Sequence, residues 1–149
     1  MQLSQSINYS ENIMKLLMIY ADLFGYKTNR KGWEDAPDID EEKKIDNALV
    51  GFIHLELEDE EKLSSVETKM IKQLKWAARK NETERIVLHS FAHLSESKAN
   101  PALIKQLFDN AEERLKNSGY EVYQTPFGYF LDLEFKAPGN SLARIFKEI

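Results

Sequence analysis

Apolar and polar positions change period along the chain, and the changes mark out its elements. Lys15-Leu16-Leu17-Met18-Ile19-Tyr20-Ala21 is a short continuous apolar run, the pattern of a buried strand. Phe24 to Thr28 reads as a returning strand, with Gly25 near a turn or bulge. From Asn29 to Glu42 the chain is polar, with Gly32, Pro37 and several Asp residues, and reads as a long loop that Trp33 anchors to the core. Asn47 to Leu57 is again apolar on both faces and reads as a central strand. Asp59 to Lys62 forms an acidic turn, after which Leu63, Val66, Met70, Leu74 and Ala77 recur at helical spacing. Arg85 to Phe91 is the next strand. Asn100 is a good N-cap with Pro101 at the first helical position, and Ile104, Leu107, Phe108, Ala111 and Leu115 form the buried stripe that Gly119 closes. Glu121 to Tyr123 is a short strand, and Phe127 to Phe135 alternates with Phe127, Tyr129, Leu131, Leu133 and Phe135 on one face. Ser141 is expected to cap a last short helix whose Leu142, Ile145 and Phe146 pack inward. The sum is an α/β (α+β) fold, a mixed β-sheet with two long helices on one side. Residues 1–13 have no clear period and read as a loose leader to a single domain at 14–149.

Composition narrows the function classes. With 42% apolar and 30% charged residues the 149-residue chain is ordinary globular protein. No apolar run is long enough to span a bilayer, and the polar N-terminus lacks a secretory n-region, so a cytoplasmic location is expected. The absence of cysteine excludes disulfides, a thiol nucleophile and thiolate zinc sites. A net charge of −5 argues against wide wrapping by nucleic acid, while a local RNA contact stays open. The basic run Lys69, Lys72, Lys75 and Arg79 reads first as a solvated helix face and second as a tRNA-contacting one.

Candidate chemistry converges on Ser90-Phe91-Ala92-His93-Leu94-Ser95, where a strand hands over to a helix. In open α/β sheets ligands collect at that edge. His93 is either a loop histidine bonded to backbone or a site residue. His89 and His93 are four apart, yet on strand and loop they make no metal pair, and no third ligand stands out, so no metal and no cofactor is expected. His89 reads as a structural histidine on a strand face. Ser95 lacks a nucleophile elbow, and there is no P-loop or dinucleotide fingerprint. Gly128, inside a strand pattern, marks a bulge or a close approach, and Phe127 is either core or a stacking platform for a base.

The pair Ser90-Phe91-Ala92-His93-Leu94-Ser95 and Pro126-Phe127-Gly128-Tyr129, in this order and spacing, resembles the archaeal editing domain of threonyl-tRNA synthetase. The resemblance runs from about Met14 to the end. It implies a fold shared with D-aminoacyl-tRNA deacylases, a homodimer, and hydrolysis of serine misattached to threonine tRNA. Such proofreading is needed because one missing methyl group is worth only about 1–3 kcal/mol of discrimination. It implies that the 2′-hydroxyl of the terminal adenosine helps activate a water while the protein positions the parts. It places His93 near the seryl group as the catalytic position, Phe91 and Ala92 at the substrate-cradling backbone, Leu55 at an apolar pocket position, and Phe127, Gly128 and Tyr129 around the adenosine. The implied partners are the 3′ end of mischarged Ser-tRNA(Thr), a second copy of the chain, and a threonyl-tRNA synthetase catalytic module.

The departures from the family pattern bear on activity. Where the family has Tyr-Lys after Pro-Phe-Gly-Tyr, this chain has Phe130-Leu131; Arg144 stands where a glutamate is usual; and Ser90 stands where a proline is frequent. Removing one preorganised donor costs about two to three powers of ten in rate. Two functions therefore stand side by side, an editing deacylase and a relative that binds an aminoacyl-adenosine end, or a synthetase partner, with little or no hydrolysis.

Overall fold

The structure is a computed structural model that describes residues 14–91 and 99–149. The expectations for the 1–13 leader and for Ala92, His93, Leu94 and Ser95 fall outside the described residues. The strands are β1 (Lys15–Lys31), β2 (Glu42–His54), β3 (Arg85–Ser90), β4 (Glu121–Gln124), β5 (Tyr129–Lys136) and β6 (Arg144–Glu148); the long helices are α1 (Leu63–Lys80) and α2 (Pro101–Asn117). They build one mixed sheet of order β4-β3-β2-β1-β5, with β6 also paired to β1. β1 is antiparallel to β2, β5 and β6, whereas β2, β3 and β4 run parallel. The expected architecture is present, with β2 central.

Five segments differ from the sequence reading, the first being β5, which starts at Tyr129 rather than Phe127 and leaves Phe127 packed on the helix-side core while Leu131 and Phe135 pack on the other. β1 is one strand of 17 residues and does not return at Phe24. Its inward positions change parity: Leu17, Ile19 and Ala21 share a cluster with Phe24 and Tyr26, and on β2 Ala48, Val50 and Phe52 share it with Ile45. The switch falls opposite Asn47, whose φ is +50°, so both strands flip sides together and stay paired. A broken alternation thus mimicked a turn. The polar loop accordingly shrinks to 32–41, because pairing with β5 and β2 carries β1 to Lys31 and starts β2 at Glu42. Beyond His54 the chain leaves the sheet for a 3₁₀ turn, Leu57–Lys62, so the second strand ends earlier than the expected Leu57. The final helix is absent: Asn140, not Ser141, caps a single 3₁₀ turn at Ser141–Ala143, and Arg144–Glu148 then pairs with Lys15–Ile19. Leu142 and Phe146 are exposed there rather than packed inward.

Both helices lie on one face of the sheet and seal the larger core. Leu16, Met18, Leu49, Ile53, Ile86 and Leu88 meet Met70, Leu74, Leu107, Phe108 and Ala111. Gly51 makes room for this packing, since a Cβ there would stand 2.9 Å from Leu74 Cδ2. Asn100 caps α2 by accepting from the Ala102 N–H at 2.8 Å, with Pro101 in the first turn, as expected. Gly119, φ +95°, ends it in a Schellman motif: Tyr120 N–H donates to Leu115 and Gly119 N–H to Lys116. α1 ends in the same bonding pattern, Thr83 to Ala78 and Glu82 to Arg79, with Glu82 (φ +56°) in the left-handed position. Lys69, Lys72 and Arg79 are exposed on α1 and Lys75 is half-buried there, which is compatible with both readings of that run.

The other face is filled by aromatic rings contributed by four strands. Phe24 meets Phe135 at 4.9 Å, Phe135 meets Phe52 at 5.7 Å, and Phe52 meets His89 at 5.1 Å and Phe91 at 5.5 Å. These contacts run from β5 across β1 and β2 to the end of β3. They link the β3 exit to Phe135, near the end of β5, although β1 and β2 separate the two strands.

Candidate functional site

A cavity of about 340 Å³ opens where the β3 exit faces β5. That size is at the lower end for small-molecule sites. One wall is Ser90 and Phe91, with Ala99 and Pro101 at the start of α2; the facing wall runs from Pro126 through Phe127, Gly128 and Tyr129 to Phe130 and Leu131. His89, Thr125, Trp33, Gly32, Ile104 and Leu133 also line it. No Asp, Glu, Lys or Arg is among its described lining residues.

Local chemistry explains each wall. The backbone of Phe91 is pinned by its N–H to Ile53 O (3.0 Å) and by His54 Nδ1–H, which donates to Phe91 O at 3.3 Å. Ala99 N–H donates to Leu55 O at 2.9 Å, so both ends of the intervening segment are tied to the end of β2. Close by, Lys15 pairs with Glu56 at 3.2 Å and with Glu148 at 3.3 Å, and Glu56 N–H donates to Asp59 Oδ2. Burial raises the Asp59 pKa. Phe127 stands between α2 and the 32–41 loop, 6.2 Å from the Phe108 ring and 5.6 Å from Trp33. Gly128 carries φ +83°, and its carbonyl accepts from Gly32 N–H at 2.7 Å and Trp33 N–H at 3.1 Å. A Cβ at Gly128 would sit 3.0 Å from Ala36 Cβ, so the close approach expected from a strand glycine is that of the chain's own loop. The Tyr129 hydroxyl is used by the same loop, donating to Pro37 O and accepting from Ile39 N–H, both at 2.8 Å.

Of the positions singled out in the sequence, Phe91, Phe127, Gly128 and Tyr129 line this one cavity, and so do Ser90, Phe130 and Leu131. Leu55 does not: its side chain is fully buried in the main core. Arg144 is exposed on β6, opposite Ile19, and is not among the lining residues. Ala92 and His93 are outside the described residues. Lining residues without a site signal in the sequence include Ala99, Thr125 and Trp33, the last read only as an anchor. Thr125 adjoins the Pro-Phe-Gly-Tyr motif, and its hydroxyl bonds His89 across 36 positions of chain, a pairing no local pattern encodes. Among the described residues no cluster of three or more His, Asp or Glu is placed to hold a metal ion.

Comparison with known proteins places the chain. Residues 14–149 match the family described as the archaea-specific editing domain of threonyl-tRNA synthetase. The chain belongs to that family. Among similar curated proteins are the threonine–tRNA ligases of Methanosphaera stadtmanae (35% identity) and Thermococcus kodakarensis (32%), each matched over 91% of this chain. The chain spans 22% of the length of each. A solved structure, the c-Myc DNA unwinding element binding protein, superposes with a TM-score of 0.63 at 12% identity, over 91% of this chain and 98% of the other. At that identity the likeness concerns the fold, which is the α/β class expected. The editing-domain family ties the chain to translation proofreading, and no helix among the described residues is long and apolar enough to cross a membrane.

Proposed function

We propose that the cavity receives the aminoacylated 3′-terminal adenosine of a mischarged tRNA, with Ser-tRNA(Thr) as substrate, and that the chain clears the ester as an editing module. The observation that carries this reading is the convergence of Ser90, Phe91 and the Phe127–Leu131 run on one cavity of ligand size. Phe127, held by Phe108 and Trp33, is a rigid platform for the base. Ala92 and the catalytic candidate His93 are carried in the segment bracketed by Phe91 and Ala99, two residues that line the cavity. With no charged side chain among the described lining residues, attack relies on positioning and on the 2′-hydroxyl of the tRNA itself. A second copy of the chain, a synthetase catalytic module and a cytoplasmic setting complete the proposal.

One observation favours the second reading, binding with weak or no hydrolysis. Phe130 and Leu131 line the cavity, and the family pattern that the sequence resembles has Tyr-Lys, a hydroxyl and an ammonium, at this pair. The deciding assay follows ester loss from Ser-tRNA(Thr) for the natural chain and for the double variant Phe130→Tyr, Leu131→Lys. Hydrolysis by the natural chain that falls in His93→Ala establishes the deacylase. Hydrolysis only by the double variant, expected at about a hundredfold or more over the natural chain from the restored donors, establishes the binding reading. Inertness of both, together with no affinity for a non-hydrolysable seryl-adenosine amide, rejects the site.

A further inference from the structure

His89 is the one imidazole among the described lining residues of the cavity, and its two nitrogens are in different circumstances. Nδ1 is 2.9 Å from Thr125 Oγ1 in a buried hydrogen bond. The ring is flanked further by Phe52, in a T-shaped contact at 5.1 Å, and by the tilted ring of Phe91 at 6.3 Å. No described residue hydrogen-bonds Nε2. Asp59 Oδ1 is the sole fully enclosed side-chain polar atom without a partner among the described residues, so Nε2 is not enclosed. Since the residue is 6% exposed and lines the cavity, the cavity is what Nε2 reaches. Burial pushes the His89 pKa down to about 4, so the ring is neutral at physiological pH. A neutral ring with Nδ1 committed offers one function at Nε2, donor or acceptor, as set by which partner carries the proton in the Thr125 bond.

We propose that His89 is a specificity-determining residue of the cavity, its Nε2 hydrogen-bonding a neutral polar group on the edge of a heteroaromatic ring seated against Phe91 and Phe127. The proposal rests on the nucleoside reading of the cavity and adds the group that reads the ring. Apolar walls without a charged lining residue favour an uncharged, flat ligand portion. In such surroundings one oriented hydrogen bond discriminates strongly, because a ligand lacking the matching group leaves Nε2 desolvated and unpaired. Thr125 is the positioning residue, fixing ring orientation and tautomer.

The test uses 3′-seryl-amino-3′-deoxyadenosine as probe, with calorimetry on the full chain and its variants. His89→Asn keeps an amide at the Nδ1 position, preserving the Thr125 bond while removing the cavity-facing group; His89→Gln places an amide near Nε2. The natural chain binds; His89→Asn weakens binding about tenfold, the worth of one hydrogen bond, while His89→Gln stays within about threefold. Unchanged affinity in His89→Asn, or loss in Gln but not in Asn, shows a purely structural histidine and overturns the proposal. Nitrogen-15 spectra of the natural chain give a reading free of folding effects: addition of probe shifts Nε2, and an unmoved Nε2 resonance overturns the proposal. Phe127→Ala separates the two levels. Probe binding that is lost in Phe127→Ala but indifferent to His89→Asn rejects His89 alone; no binding by the natural chain rejects the nucleoside reading and the proposal with it.

Discussion

Gly128→Ala tests how the site is assembled. The backbone at Gly128 has φ +83°, which for an alanine costs about 1–2 kcal/mol. The new methyl meets Ala36 Cβ at 3.0 Å, Trp33 Cβ at 3.2 Å and Trp33 Cε3 at 3.3 Å, an overpacking that costs about 1–3 kcal/mol. Lifting the 32–41 loop would relieve the clash. That would break the bonds from Gly32 and Trp33 to Gly128 O and the two made by the Tyr129 hydroxyl, about 1 kcal/mol each, and expose Trp33 as well. Detachment therefore costs at least as much as the strain, and the folded state carries it. The expected loss is about 3 kcal/mol, a fall in Tm of about 10 °C for a chain of this size. Urea unfolding of Gly128→Ala beside Gly139→Ala checks the magnitude, because a Cβ at Gly139 meets nothing within 4 Å and is expected to change stability by less than about 0.5 kcal/mol. The variant should also bind the seryl-adenosine amide less tightly, as Trp33 and Phe127 shift. Equal midpoints for the two variants would refute the argument that the loop is locked onto Gly128.

Stability should depend on pH through His89. Its folded pKa, about 4, is below the unfolded reference of 6.5, so below pH 6.5 the unfolded chain binds the extra proton. Stability is then full above pH 6.5 and falls as pH drops toward 4, by about 3 kcal/mol from this group. Chemical denaturation at pH 7 and pH 4.5 should show that slope reduced in His89→Gln; an identical slope would remove His89 as its source. At the end of α1, Glu82→Gly relieves a left-handed position on an exposed residue and should raise stability by about 0.5–1 kcal/mol, read as a higher urea midpoint, while a lower midpoint would show that the Glu82 side chain matters there.

What was legible in the sequence and what was not divides by range. Asn100-Pro101 and Gly119 announced both ends of α2 because capping is a contract between neighbours within one turn. The continuous strand β1 was hidden because side-chain parity, the only local sign of a strand face, reverses where Asn47 turns left-handed on the partner strand. β6 looks helical in the sequence because Leu142, Ile145 and Phe146 imitate helical spacing, whereas pairing with Lys15–Ile19, more than a hundred residues away, makes it a strand. The candidate site followed the same rule. Phe127 and Gly128 stood out through their motif, whereas the Thr125–His89 bond and the Trp33 contact exist only after the sheet brings distant segments together. His89 read as structural from its strand position, and its buried bond to Thr125 agrees; its second nitrogen becomes visible only once the cavity is drawn.

The pairing of β6 with the start of β1 has an architectural consequence. Ile149 N–H donates to Met14 O at 2.9 Å, so the two ends of residues 14–149 are adjacent. A polypeptide entering at Met14 and departing at Ile149 does so through a single doorway. Such a unit can be grafted into a surface loop of a host, or have its ends joined in a circular permutation, without stretching any connection across its own width.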